Sequence, residues 1–182
     1  MRAIHVLPLM AAFVLAACGG DADDNGDGKL SGDELAAEAE GMAKPLPGQY
    51  RTSAELLEFD VPGAPDSLKE QMRTGMASGL AQGSTSCLTP EDAEKNGARQ
   101  MVENLAESNC EMKTFNASGS TIAAVMECSG DGGGMKGTVS VDGQINPDSS
   151  TMTLTTDQDM PGAGKVHLKM RMNSQRIGDC TG

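Results

Sequence analysis

The stretch Val166-His167-Leu168-Lys169-Met170-Arg171-Met172 alternates apolar and basic side chains at every step. Successive residues of a β-strand point to opposite faces, so a strand sends the apolar set one way and the basic set the other. A helix, with its 3.6-residue period, would spread both sets around its circumference and leave no dry side. The run therefore predicts a strand in a sheet with one apolar face and one wet face, an arrangement common in antiparallel sheets.

The same period runs back through the chain. Met152 and Leu154 alternate with Thr151, Thr153 and Thr155, and Val139 and Val141 alternate with Thr138, Ser140 and Asp142. Met112 to Asn116 and Thr121 to Cys128 flank a Ser118-Gly119-Ser120 turn. Asp131-Gly132-Gly133-Gly134, Asp142-Gly143, Asn146-Pro147 and Pro161-Gly162 supply the turn residues expected between strands. Near the start, Tyr50, Thr52, Ala54 and Leu56 alternate with polar residues. Leu57, Phe59 and Val61 continue in the opposite phase, which predicts a β-bulge near Leu56-Leu57.

Two helices interrupt the alternation. Leu68, Met72, Met76 and Leu80 recur at helical spacing between Asp66 and Leu80 and form one apolar stripe. The second helix opens with Thr89 as cap, Pro90 in its first turn and Glu91-Asp92 at the positive end of its dipole. It breaks at Asn96-Gly97 before Met101, Val102 and Leu105 resume an apolar face. The expected fold is mainly β with helical insertions (α+β). Its sheet is antiparallel and curved or barrel-like, with both helices between the first strand and the rest.

Arg2, the apolar run 3–15 and the small residues before Cys18 make a secretory leader. It is too short to cross a bilayer as a helix, which takes about 20 residues. Leu15-Ala16-Ala17-Cys18 resembles the lipobox of bacterial lipoproteins, in which the cysteine sulfur is acylated and the preceding peptide removed. The resemblance implies lipidation at Cys18, a membrane partner and a place in the cell envelope. Gly19 after the cysteine implies, by the same resemblance, the outer membrane facing the periplasm. With a net charge of −12 and no basic stripe, the chain has nothing to neutralise phosphates, which excludes nucleic acid as a partner. The chain divides into a leader (1–17), an acidic tether (18–46) and a β-rich domain (47–182), with Pro45-Leu46-Pro47-Gly48 stopping any helix at the boundary.

Beyond the anchor stand Cys87, Cys110, Cys128 and Cys180, an even set that in an exported chain reads as two disulfides. No CxxC pair exists and His167 is the only histidine outside the leader, which argues against zinc. Cys110 and Cys128 are symmetric about Gly119, the centre of the proposed hairpin turn, so they fall opposite each other on one face. Cys110–Cys128 is the expected bond, leaving Cys87–Cys180 to tie the helical insertion to the last strand. The same register sets Glu111 opposite Glu127, a like-charge pair that counts against it.

From Asp23 to Glu34 the tether reads Asp-Asp-Asn-Gly-Asp-Gly-Lys-Leu-Ser-Gly-Asp-Glu, which fits the EF-hand calcium loop without a mismatch. Asp23, Asn25 and Asp27 offer hard oxygens at loop positions 1, 3 and 5, and Gly28 permits the sharp turn at position 6. Lys29 would give its backbone carbonyl, Ser31 a hydroxyl directly or through water, and Glu34 a bidentate carboxylate. Leu35-Ala36-Ala37-Glu38 are strong helix formers, so an exiting helix follows naturally. Only Gly19 to Ala22 separate Cys18 from the loop, so no entering helix fits, and no second copy is present. The expected affinity is therefore the weak one of extracellular modules, about 10⁻⁴–10⁻³ M. The competing reading is a solvated acidic linker.

Pro47-Gly48-Gln49-Tyr50, Cys87-Leu88-Thr89-Pro90-Glu91-Asp92, the pair Cys110/Cys128 and Arg176-Ile177-Gly178-Asp179-Cys180 together resemble domain-of-unknown-function family 3617 over about residues 47–180. The resemblance implies an exported bacterial protein, often rich in methionine, with no established activity. A tryptophan is common in that family near the opening Pro-Gly, where this chain has Tyr50.

No Walker loop, GxSxG or HExxH is present, and Gly132-Gly133-Gly134 precedes a strand rather than the helix a phosphate cradle needs. His167 reads as a solvated residue on a polar strand face, and the disulfides remove any thiol nucleophile. The chain is read as non-catalytic. Its 13 methionines stand beside only Tyr50, Phe59 and Phe115 as aromatics outside the leader, and Met112, Met126, Met170 and Met172 occupy inward strand phases. Methionine as a flexible core filler explains them more simply than thioether ligation of copper(I). An alternative function is a periplasmic module that holds an apolar ligand or lipid on a Met-lined sheet face.

Overall fold

Val166–Met172 lies in the middle of the longest strand. In a computed structural model, which describes residues 34, 35, 37, 41–95, 110–130 and 136–180, the chain forms β1 (Gly48–Asp60), α1 (Asp66–Ala81), β2 (Ser84–Leu88), α2 (Pro90–Lys95), β3 (Cys110–Ser118), β4 (Thr121–Ser129), β5 (Lys136–Asn146), β6 (Ser149–Met160) and β7 (Gly164–Gly178). Every neighbouring pair is antiparallel, in the order β2-β1-β7-β6-β5-β4-β3. From β3 to β7 the chain meanders, while β1 pairs with the last strand. The bulge falls where the change of phase puts it: Leu56 faces Met170, Glu58 faces Lys169, and Leu57 is the extra residue.

The alternation resolves into two faces. Ala124, Val141, Leu154, Met170 and Leu56 are cross-strand partners in one continuous row on the dry side. Thr138, Asp157 and His167 form such a row on the wet side. Leu35, Met112, Phe115, Ile122, Ala124, Met126 and Val141 are buried together over β3–β5, and Met42, Met152 and Leu154 pack against them. Burying each large apolar side chain contributes about 1.5–3 kcal/mol, and among the described residues none of these side chains is completely sealed. The core is shallow, as a single sheet covered on one side requires.

Both disulfides form as expected, Cys87–Cys180 and Cys110–Cys128. The hairpin reaches the Cys110–Cys128 pairing by a different register from the one its symmetry about Gly119 predicts. The turn is Gly119-Ser120, with Ser118 facing Thr121, so its centre lies between those two residues and not on Gly119. An unbroken ladder would then pair Cys110 with Ser129. One extra residue in β3, Lys113, shifts the register and brings Cys110 opposite Cys128. The bulged lysine also answers the like-charge objection. Its Nζ lies 3.1 Å from Glu111 and 3.5 Å from Glu127, bridging the two carboxylates.

Three further expectations need revision. The sheet is open: among the described residues β2 and β3 each pair along one edge only, so no barrel closes. Alternation reports a dry and a wet face, which open and closed sheets share, and says nothing of edges. The helices do not stand together between β1 and the rest, because the short strand β2 separates them and pairs with β1. Asp142-Gly143 is not a turn. Both residues lie inside β5, facing Thr153 and Met152, and a Cβ on Gly143 would sit 2.5 Å from Met152 Sδ. Glycine there admits the neighbouring methionine. The stripe on α1 forms where the spacing puts it and is partly covered: Leu68 and Met72 are 43% and 41% exposed, while Met76 and Leu80 are half-buried.

The start of α2 is as expected. Asp92 N–H donates to Thr89 Oγ1 at 3.1 Å and Thr89 Oγ1 donates to the Asp92 carboxylate at 2.7 Å, a reciprocal cap. The break at Asn96-Gly97 and the face of Met101, Val102 and Leu105 lie outside the described residues, as does the Asp131-Gly132-Gly133-Gly134 turn.

Candidate functional site

Three sequence pieces far apart in the chain meet at one end of the sheet. Gly48 faces Leu88, Gln49 faces both Cys87 and Gly178, and Tyr50 faces Arg176, so the start of β1 is clamped between the ends of β2 and β7. Arg176 Nε donates to Pro47 O at 2.8 Å, and its terminal nitrogen pairs with Asp179. The guanidinium covers Gly48, where a Cβ would fall 2.8 Å from Arg176 Cζ and 2.5 Å from Gly178 O. Only a residue without a side chain fits under that group. Tyr50 Oη donates to Leu46 O at 2.7 Å and lies 3.1 Å from Pro147 O, which also accepts from Leu46 N–H at 2.7 Å. Burial raises the Tyr50 pKa, with Arg176 opposing and Asp148 adding to the shift. The Cys87–Cys180 bond closes the corner.

Beside this corner the dry face is hollow. A recess of about 280 Å³ opens among Tyr50, Leu88, Ile145, Met152, Ser150 and Ser174. Its cause is visible in the register: Ser150 and Ser174 face each other where, two residues further on, Met152 faces Met172. Small hydroxyl side chains replace bulky apolar ones, and the sheet surface sinks. Ser174 is already hydrogen-bonded to Thr52 across β1 at 3.0 Å. Beyond the recess the face continues as Met152, Met172, Met170 and Leu154, all half-buried. Sequence reasoning placed Met170 and Met172 on this face and missed the recess. The signal was the break in the apolar phase at Ser150 and Ser174.

On the wet face, His167 is less solvated than its strand phase suggests. Its Nδ1 lies 3.0 Å from Asp157 on β6 and its Nε2 3.4 Å from Glu58 on β1. The hydrogen bond to Asp157 raises the His167 pKa against a desolvation that lowers it, and Glu58 adds to the rise. Glu58 is in turn held below the ordinary carboxylate range, chiefly by its hydrogen bond from Lys169 at 3.0 Å. These contacts join three strands. They offer no nucleophile.

Of the calcium-loop residues, Asp23, Asn25, Asp27, Lys29 and Ser31 lie outside the described residues, as does Cys18. Glu34 is described and has helical backbone. Leu35, the next residue, is only 3% exposed and belongs to the core over β3–β5. Past it, Ala43 N–H donates to Gly119 O at 3.0 Å, so the segment entering β1 runs along the sheet. Among the described residues no three His, Cys, Asp or Glu side chains converge to hold a metal ion.

The geometry defines a class: an open, disulfide-stapled antiparallel sheet, dry on one side, with a clamped corner and a recess beside it. Residues 45–180 match the family model described as "Protein of unknown function (DUF3617)". The chain belongs to that family. Comparison with curated proteins and with solved structures finds no match.

Proposed function

We propose that the chain is a non-catalytic envelope protein, held by lipid on Cys18 to the outer membrane and facing the periplasm, whose loop from Asp23 to Glu34 binds calcium and is fastened to the sheet by Leu35. The observation that supports this reading is the burial of Leu35 one residue after Glu34. A free acidic spacer needs no such residue, whereas a calcium loop with an exiting helix needs that helix held in place. Asp23, Asn25, Asp27, the Lys29 carbonyl, Ser31 and Glu34 would give the flexible oxygen shell that calcium accepts and magnesium, with its strict octahedron, does not. Calorimetric titration of the mature chain tests it. One weak calcium site, absent in Glu34→Gln and not filled by magnesium, is the expected result. No heat at millimolar calcium would reduce the segment to a linker. For the anchor, Cys18→Ala should leave the chain uncut or free of membranes, and normal membrane recovery of that variant would overturn the assignment.

A second reading is a module that holds an apolar ligand on its Met-lined face. The recess bordered by Tyr50, Met152 and Ser174 favours it.

A further inference from the structure

We infer that the recess beside the clamped corner binds a single alkyl or acyl chain with an uncharged, hydrogen-bonding head, an inference that rests on the apolar-ligand reading above. The lining is mostly apolar, from Tyr50, Leu88, Ile145 and Met152, with the amide of Asn146 among its polar groups. Ser150 and Ser174 border the recess, and their hydroxyls can bond a head group while the chain lies on the apolar surface, Ser174 keeping its bond to Thr52 and using its remaining hydrogen-bonding capacity. Among the described residues no carboxylate, ammonium or guanidinium lines the recess. Arg176, close by, is already bonded to Pro47 and Asp179. An ionic head would lose its hydration without finding a partner, and in a chain of net charge −12 an anion would also be repelled.

Size sets the chain length. A volume of about 280 Å³ holds about nine groups of the size of water, at roughly 30 Å³ each, and a methylene is about that large. Each buried methylene tightens binding by about fourfold. Affinity for a homologous series should therefore climb steeply to about nine carbons and then level off, because further carbons project into solvent.

The experiment uses the chain from residue 18 onward, unlipidated so that no detergent competes, with methionine methyl groups labelled for NMR. Straight-chain 1-alkanols are the probes, with decanoate and decyltrimethylammonium as charged counterparts. The expected result is an affinity that rises to about nine carbons and then flattens, at least tenfold weaker binding of both ions, and movement of the Met152 methyl signal. Ser150→Leu should fill the recess and weaken binding at least tenfold. Ser86→Leu, from the exposed edge strand β2 that also borders the recess, does the same without touching the inner strands. Equal binding by both leucine variants, or ions binding as tightly as alkanols, would overturn the assignment. So would shifts at Met170 and Met172 with Met152 unmoved, but that outcome keeps the broader reading of a ligand on the sheet face.

Discussion

Replacing Leu35 by alanine separates a fastened calcium loop from a free one. Leu35 is 3% exposed and sits in one cluster with Met112, Phe115 and Ile122. Removing its side chain loses transfer free energy and leaves a cavity, which together cost about 2–5 kcal/mol in buried leucine-to-alanine changes. A shallow core collapses more readily, so the lower half of that range is expected. Linkage supplies the second magnitude. At about 5 mM calcium and a dissociation constant of about 10⁻⁴–10⁻³ M, binding to the folded form alone stabilises it by about 1–2 kcal/mol. The Leu35 contact exists only when β3–β5 are folded, so calcium should raise the urea midpoint of the whole sheet. In Leu35→Ala the sheet should be destabilised and most of the calcium increment lost. The assay is urea unfolding with and without calcium, in the native sequence, Leu35→Ala, Glu34→Gln and the double variant. Two outcomes refute the reasoning. A loss below about 0.5 kcal/mol in Leu35→Ala would mean the contact carries no stability. A calcium increment unchanged by Leu35→Ala would mean that Leu35 is not what couples the loop to the sheet.

The two disulfides enclose sequence separations of 93 and 18, which in the chain-entropy description contribute about 4–5 and about 3 kcal/mol. Paired serine replacements at Cys87 and Cys180 should therefore destabilise more than those at Cys110 and Cys128 in denaturant unfolding, and the reverse order would contradict the entropic account. Gly48→Ala places a Cβ against the Arg176 guanidinium and Gly178 O at a φ of 150°. It should lose more than about 2 kcal/mol, with Gly119→Ala, which meets nothing within 4 Å but has a φ of 59°, losing less. His167 has a pKa raised above its ordinary 6.5 by Asp157 and Glu58. Its contribution is full below the ordinary value and lost as pH rises through the folded one. Melting temperature should thus fall slightly from about pH 6 upward, and His167→Gln should flatten that slope. The effect is small because Glu58 and Asp157 are 54% and 41% exposed.

How much of this was legible depended on how local the cause was. Phase changes are local, so the Leu56-Leu57 bulge and the Thr89 cap could be read directly. Asp142-Gly143 carries a turn signal when its glycine is taken alone, yet it lies inside β5. Its reason, room for Met152, comes from the neighbouring strand. The spacing of Leu68, Met72, Met76 and Leu80 gives the stripe of α1, but periodicity cannot tell how far a partner covers it. The recess was least legible. It needs Ser150, Ser174 and Tyr50 to be neighbours, and their adjacency depends on β1 joining β7 across the whole chain. Arg176 stood in a motif whose physical purpose, closing over Gly48, is invisible until those strands pair.

The positions of the cysteines explain how an open sheet of this kind is held together. An open sheet has two edge strands, each bonded on one side only, and these are the first to fray and the first to pair with foreign strands. Here β2 is one edge and β3 the other. Each carries one cysteine, Cys87 in β2 and Cys110 in β3. Cys110 is tied to Cys128 on β4, its one neighbour among the described residues. Cys87 is tied to Cys180, just past β7, so the bond spans β1 and locks the five-residue edge to the end of the longest strand. A closed barrel has no edges and would have no need of this placement. Both covalent bonds act at strands that, among the described residues, pair on one side only. The shallow core is concentrated over β3–β5, so the β2 edge, which lies farthest from it, depends most on its bond. That edge also forms one wall of the recess. Cutting Cys87–Cys180 should therefore loosen the recess before it unfolds the core.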